Sequence, residues 1–182
     1  YSTKYKKPVI QVIGTYIAPT FRLALTSLIL SLLIGVPAGI VSATRQHSLV
    51  DEGFTLVSLI GISIPSFFFA LLLLKFLAVD LNWFPLYGMR DHMSKTDNPL
   101  VVFLDIAWHT VLPATVLGLG STASFMRYTR SSMLEVIRQD YIRTARAKGL
   151  KEKVVIYRHA FRNAVIPIIT LLGFWIPGLL SG

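Results

Sequence analysis

Four histidines are the residues of this sequence whose side chains could serve a metal or a hydrolytic reaction. They lie far apart, without the close spacing of a zinc site, at His47, His92, His109 and His159. The chain has no cysteine, which excludes disulfides, thiolate metal sites and cysteine nucleophiles. It also lacks a GxSxG turn, an HExxH helix and a glycine-rich phosphate loop. We therefore expect no catalytic site, no metal and no cofactor, and any energised work must draw on a partner.

Serines inside apolar stretches are a second possible source of chemistry. They are Ser27, Ser31, Ser58, Ser63 and Ser66. Serine in such a stretch usually donates to a backbone carbonyl or to a neighbouring helix. An intramembrane Ser-His hydrolase stays an alternative, and it would need the two side chains within hydrogen-bond reach.

Binding chemistry is concentrated in a basic segment, residues 127–162, which lies between two apolar stretches. Its cations are Arg127, Arg130, Arg138, Arg143, Arg146, Lys148, Lys151, Lys153, Arg158 and Arg162, and its acids are Glu135, Asp140 and Glu152. Lys and Arg resist translocation, so a short loop this basic is expected on the cytoplasmic side of a membrane. A basic stretch resting on anionic lipid headgroups is the simpler alternative.

The basic segment also carries a helical pattern. Ile137, Tyr141, Ile142 and Ala145 recur at helical spacing. Gly149 is expected to end this helix, because glycine readily takes the positive φ of a helix C-terminus. A second helix is predicted to begin at Leu150 or Lys151. Two short helices separated at a glycine predict a docking surface.

The composition is that of a membrane protein. The 182 residues are 53% hydrophobic and only 15% charged, whereas soluble domains carry about 25% charged residues. The net charge is +9, but ten of the 18 cations lie in the basic segment, so the charge indicates membrane orientation and not nucleic-acid binding. We predict an all-α, polytopic helical membrane protein with a single transmembrane domain over residues 1–182.

Four apolar stretches are predicted to span the bilayer, at about residues 20–44, 53–77, 106–128 and 163–182. They leave an external loop at 78–105 and a cytoplasmic loop at 129–162. Before the first span we predict a short interfacial helix, with Pro19 opening the next helix. Lys75 is predicted to snorkel to the headgroups; a cation facing a solute path is the alternative. Lys4, Lys6 and Lys7 would then lie outside, against the positive-inside rule.

Both ends of the sequence look cut. It begins at Tyr1 and stops at Gly182 inside an apolar run. We expect it to be the middle of a longer polypeptide.

Several stretches resemble one family of transporters. DYIRTARAKGL at 140–150 and RHAFRNAVIP at 158–167 are similar to the cytoplasmic loop of bacterial ABC importer permeases, and RSSMLEVIRQ at 130–139 and FPLYGM at 84–89 also resemble this group. The most similar branch is that of the dipeptide and oligopeptide permeases, in the subunit type encoded first. The resemblance covers nearly the whole chain, implies a partial type I importer transmembrane domain, and implies that the first and last transmembrane helices are missing.

The resemblance also implies which residues couple to an ATPase. In the family this loop is the EAA segment, whose two short helices rest in a cleft of the ATPase subunit. Arg143, Thr144 and Ala145 stand at the Glu-Ala-Ala positions, with Arg in place of Glu, and Gly149 stands at the family glycine. The implied coupling residues are Asp140, Arg143, Thr144, Ala145, Arg146, Ala147, Lys148, Gly149, Leu150 and Arg158. Ala145 and Ala147 are expected to let the partner approach closely.

The function implied is import of di- or oligopeptides across the bacterial inner membrane by alternating access. The implied partners are a second, homologous permease, two ATP-binding subunits, an extracytoplasmic peptide-binding protein and membrane lipid. No nucleic acid is expected. Nickel or glutathione import by the same machinery is one alternative, and a passive channel, which needs no ATPase, is another.

Overall fold

A computed structural model describes residues 1–91 and 98–181, most of which are helical. The α-helices are α1 (Val9–Thr44), α2 (Leu49–Ser63), α3 (Ser66–Leu73), α4 (Pro99–Ile137), α5 (Asp140–Ala147), α6 (Glu152–Val154) and α7 (Phe161–Ser181). Two π-helical segments follow α3 and α6 directly, at Leu74–Asp80 and Val155–Ala160. The predicted all-α class is confirmed.

The first helix is longer than predicted. It runs unbroken from Val9 to Thr44, so Pro19 lies inside it and the separate interfacial helix is wrong. A proline removes only one backbone donor. The apolar residues on both sides keep their own hydrogen bonds, which favours a continuous helix where no water competes for them.

The second predicted span, 53–77, is divided in two. α2 ends at Ser63 and α3 begins at Ser66, with Pro65 in an extended conformation between them. Proline disfavours the helical conformation of the residue before it, here Ile64, which explains the break. Over the described residues, α1 and α4 are long and apolar enough to cross a membrane, and the broken pair makes a third candidate if it counts as one span. α7 coincides with the predicted fourth span, which stays a prediction.

The third predicted span, 106–128, lies within a longer helix. α4 has 39 residues and contains Pro113. The first eleven residues of the basic segment are therefore helical and continuous with the apolar part. Of the predicted external loop, residues 92–97 with His92, Lys95 and Asp97 lie outside the described residues.

The described chain forms two compact units. The first comprises Tyr1–Leu28, Ile64–Gly118 and a short piece from Gly178. In it Phe84 stacks on Trp108 at 4.4 Å between ring centroids. The Lys75 ammonium lies 3.3 Å from the Asp80 carboxylate. That Lys75 snorkels to the headgroups stays a prediction.

The second unit comprises Ile29–Ser63 and Leu119–Pro177. In it α1 packs tightly on α4 at two glycines. A Cβ at Gly35 would lie 2.7 Å from the Thr122 carbonyl oxygen, and one at Gly39 would lie 2.6 Å from that of Met126. These glycines therefore permit direct backbone contact, the arrangement that small residues give helices in membranes.

Candidate functional site

Within the second unit, the middle of the basic segment forms a short amphipathic helix, α5. The sequence pattern led us to expect one helix through Ile137, but α4 ends there and α5 begins at Asp140 after an extended Gln139. Ile142 is fully buried and Ala145 is 7% exposed. Both join a core formed with α1, α4 and the residues after Gly149: Ile40, Ala43, Met133, Val155, Ile156, Ala160 and Ala164. Burial of this face fixes α5 on its own chain.

The other predicted coupling residues lie on the outside of this helix and of the turn after it. They are exposed at Asp140, Arg143, Thr144, Arg146, Ala147, Lys148, Gly149, Leu150 and Arg158. Ala145 differs from the expectation that it lets a partner approach, because its side chain faces the core. Four of these exposed coupling residues are cations and one, Asp140, is an acid, so this surface is cationic. The cations are Arg143, Arg146, Lys148 and Arg158.

The turn after α5 depends on Gly149. Its φ is +76°, in the left-handed region that glycine enters without steric cost, and the next helix begins at Glu152. The Gly149 N–H donates to the Arg146 carbonyl at 2.9 Å, and the Lys148 N–H donates to that of Thr144 at 3.0 Å. The predicted helix end at Gly149 is confirmed.

An ion pair spans this turn. Arg146 donates from Nη2 to Glu152 Oε1 at 2.7 Å and from Nε to Oε2 at 3.2 Å. The hydrogen bonds from Arg146 lower the pKa of Glu152, and in return they raise the pKa of Arg146. The Glu152 side chain is 60% exposed. The pair joins the end of α5 to the first residue of α6.

The second half of the segment continues without a break into α7. α6, the π-helical residues 155–160 and α7 follow one another directly. π-helical turns are rare and occur frequently at functional sites. The Asn163 amide donates to the Tyr141 hydroxyl at 2.9 Å, which ties α7 to α5 a second time.

A second polar cluster lies in the same unit, and no pattern in the sequence indicates it. Asp51, in the first turn of α2, accepts from Arg130 Nε at 2.7 Å and from Nη2 at 2.9 Å. Asp51 also accepts from the Ser42 hydroxyl and, at 3.0 Å, from the His47 N–H. Its side chain is only 4% exposed and that of Arg130 is 28% exposed. Co-variation between positions 51 and 130 is the signal that could have revealed the pair.

The structure describes most of the remaining candidates for chemistry. Ser58 and Ser63 donate to the carbonyls of Thr55 and Leu59, as expected. His109 Nδ1 lies 2.9 Å from the Asp105 carbonyl oxygen and 3.1 Å from its carboxylate. His47 is in a left-handed conformation in the turn before α2, and His159 lies in the second π-helical segment.

Comparison with known proteins identifies a family and several relatives. The family model described as "Binding-protein-dependent transport system inner membrane component" matches residues 35–182. The chain is 45% identical over 175 residues to the oligopeptide transport system permease protein AppB of Bacillus subtilis, covering 96% of this chain and 54% of that protein. It is 41% identical over 195 residues to the dipeptide transport system permease protein DppB of Alkalihalophilus pseudofirmus, covering 100% and 58%. The chain spans about half the length of the curated relatives it matches.

Proposed function

This chain belongs to the family of binding-protein-dependent transport system inner membrane components, and from this premise we propose that it is part of a permease subunit of an ATP-driven importer for di- and oligopeptides. Relatives named as oligopeptide and dipeptide permeases support the peptide cargo over nickel or glutathione. The subunit pairs with a homologous permease in the bacterial inner membrane. A peptide-binding protein delivers cargo outside, and two ATP-binding subunits act from the cytoplasm.

The exposed face of α5 with the Gly149 turn is the observation that carries this proposal. It presents a cationic surface on a helix whose opposite face is buried in its own core. Arginine offers several donors in a fixed plane, which suits contacts with carboxylates and carbonyls of a partner protein. A stretch that merely rests on lipid headgroups needs neither a buried face nor a glycine-dependent turn.

The core beneath α5 supplies the mechanical link. Ile142 and Ala145 pack with residues of α1 and α4, and Val155, Ile156 and Ala160 lead directly into α7. When the ATP-binding subunits close, a displacement of α5 therefore acts on three long helices through tightly packed side chains. Packed cores transmit such a displacement because their interiors are dense and incompressible. Alternating access follows if this displacement reorients the spans, so that the path between them opens to the other side of the membrane.

Site-directed cross-linking tests the docking surface. A single cysteine is placed at the exposed Ala147 of the complete subunit, in which any other cysteine has been replaced by serine. The subunit is expressed with its ATPase subunits in membranes. We expect a specific cross-link to the ATPase whose yield changes with ATP. The matched control is Ala145→Cys, two residues away on the same helix but buried, which should give little product.

The opposite results would reject the proposal. If the folded Ala147→Cys subunit gives no cross-link with the ATPase present, the surface does not dock. If Ala145→Cys reacts as strongly as Ala147→Cys, the helix does not have the orientation described. Uptake that continues after the ATPase is removed would instead support the passive channel.

A further inference from the structure

A cationic cavity in the second unit has no role in the docking just described. It has a volume of about 530 Å³, within the roughly 300–1,000 Å³ of small-molecule sites, and lies between α2 and the basic end of α4. Its polar lining consists of Arg127, Arg130, Tyr128, Ser124, Ser131 and Thr55. The lining described contains two guanidinium groups and no carboxylate. The cavity is therefore suited to an anion.

The two arginines differ in how they are held. Arg130 is oriented by Asp51, which takes up its Nε and Nη2 hydrogens, so its charge is largely neutralised. Arg127 lies one turn earlier on α4, is exposed, and forms no ion pair within residues 1–91 and 98–181. Arg127 is thus the uncompensated charge of the cavity. Ser124 donates its hydroxyl proton to the Gly120 carbonyl at 2.9 Å. The Tyr128, Ser131 and Thr55 hydroxyls that also line the cavity can donate hydrogen bonds to an anionic oxygen.

Exposed apolar side chains beside the cavity favour a lipid anion over a soluble one. Leu59 lines the cavity, and its neighbours on α2, Leu56, Val57 and Ile60, are exposed apolar side chains. Tyr128 is also exposed, and tyrosine is enriched at the level of lipid headgroups. A polar floor beside an exposed apolar helix face suits an amphiphile, whose phosphate enters the cavity while its acyl chains follow α2.

We propose that this cavity binds the phosphodiester headgroup of an anionic phospholipid, with Arg127 as the residue that contacts the phosphate. Basic pockets between membrane helices on the cytoplasmic side are known to bind anionic lipid headgroups. The site lies at the predicted inner end of the third span, where headgroups are located. The inference does not depend on the cargo or on the docking of an ATPase.

Lipid retention by the purified complete complex tests this site. The complex is reconstituted with phosphatidylglycerol and phosphatidylcholine, exchanged into detergent, and the retained lipid is counted by mass spectrometry. We expect the wild type to retain phosphatidylglycerol and Arg127→Gln to retain about five-fold less, which corresponds to about one cation–headgroup contact. Arg127→Lys should keep most of the lipid, because an ammonium also binds phosphate.

The controls separate the possible sources of the anion. Arg138→Gln removes an exposed cation of the same segment outside the cavity and should leave retention unchanged. Equal retention by Arg127→Gln and the wild type, or equal retention of phosphatidylcholine, would overturn the proposal. Thermal stabilisation by inorganic phosphate as large as that by short-chain phosphatidylglycerol would show a soluble-anion site and overturn it too. Failure of peptide uptake or of ATPase cross-linking would leave these results untouched.

Discussion

Two ion pairs in the second unit have nearly the same geometry and opposite surroundings. Arg130 holds Asp51, and Arg146 holds Glu152, each through Nε and Nη2. The Asp51 side chain is 4% exposed, whereas that of Glu152 is 60% exposed. A buried pair is costly to break because a charge is then left without water or a partner, and an exposed pair is not. Surroundings, and not hydrogen-bond geometry, decide what each pair contributes.

The two pairs also join the chain over different distances. Asp51 and Arg130 are 79 residues apart and connect α2 to α4. Arg146 and Glu152 are six residues apart and only close the turn at Gly149. The buried pair therefore fixes one helix relative to another. The exposed pair only holds the surface turn at Gly149 together, and its hydrogen bonds can break at little cost in free energy when a partner binds.

Asp51→Asn should have the largest effect. It leaves the Arg130 guanidinium without its carboxylate, and because Arg130 keeps some contact with water we expect a loss of about 3 kcal/mol, the lower end for a buried pair. The measurement is the unfolding free energy of the complete subunit in mixed micelles. Arg130→Met should cost at least as much, and the double variant less than the sum of the two. Additive losses would mean that the two side chains do not interact.

Gly149→Ala should have an intermediate effect and show that the backbone, not the ion pair, sets the turn. A left-handed conformation costs a residue with a Cβ about 1–2 kcal/mol, and no atom lies within 4 Å to add a clash. The matched control is Gly120→Ala inside α4, which also has open space and should stabilise by about 0.5–1 kcal/mol. The same unfolding measurement applies. Equal effects at both positions would contradict the assigned turn.

Glu152→Gln should have the smallest effect, about 0.5 kcal/mol at low salt and less at high salt. The pKa of Glu152 is lower in the folded state than in the unfolded state, so the pair stabilises the fold only when Glu152 is ionised. This stabilisation is complete above the unfolded-state pKa and is lost as the pH falls through the folded-state pKa. Stability measured from neutral to acidic pH should therefore fall less in this variant. Glu135→Gln, exposed on α4 outside any ion pair of the described residues, is the control. A loss of stability that is as large as that of Asp51→Asn and insensitive to salt would mean that the exposed pair contributes as much as the buried pair.

Local features of the basic segment could be predicted from the sequence. The turn at Gly149 follows from glycine's access to positive φ, and the second helix begins within two residues of the predicted start. These features depend on neighbouring residues only, so the sequence carries enough information to place them.

Features that depend on distant residues could not be predicted. Arg130 lies among the cations of the basic segment, and nothing near it in sequence indicates its ion pair with Asp51. The end of α4 at Ile137 has no glycine or proline to mark it. The fate of Pro19 and Pro65 also differs, one inside a helix and one between helices, although both stand in apolar surroundings. Such outcomes are set by tertiary packing.

The Asp51–Arg130 pair has a consequence for the order of events during biosynthesis. At about 5–20 residues per second, a ribosome reaches Arg130 about 4–16 s after Asp51. Until then the Asp51 carboxyl either stays in contact with water or takes up a proton, because burying it charged and unpaired costs several kcal/mol. Asp51 of α2 therefore gains its partner only after the Arg130 part of α4 has been made. A ribosome stalled between the two residues therefore leaves α2 without its ion pair to α4.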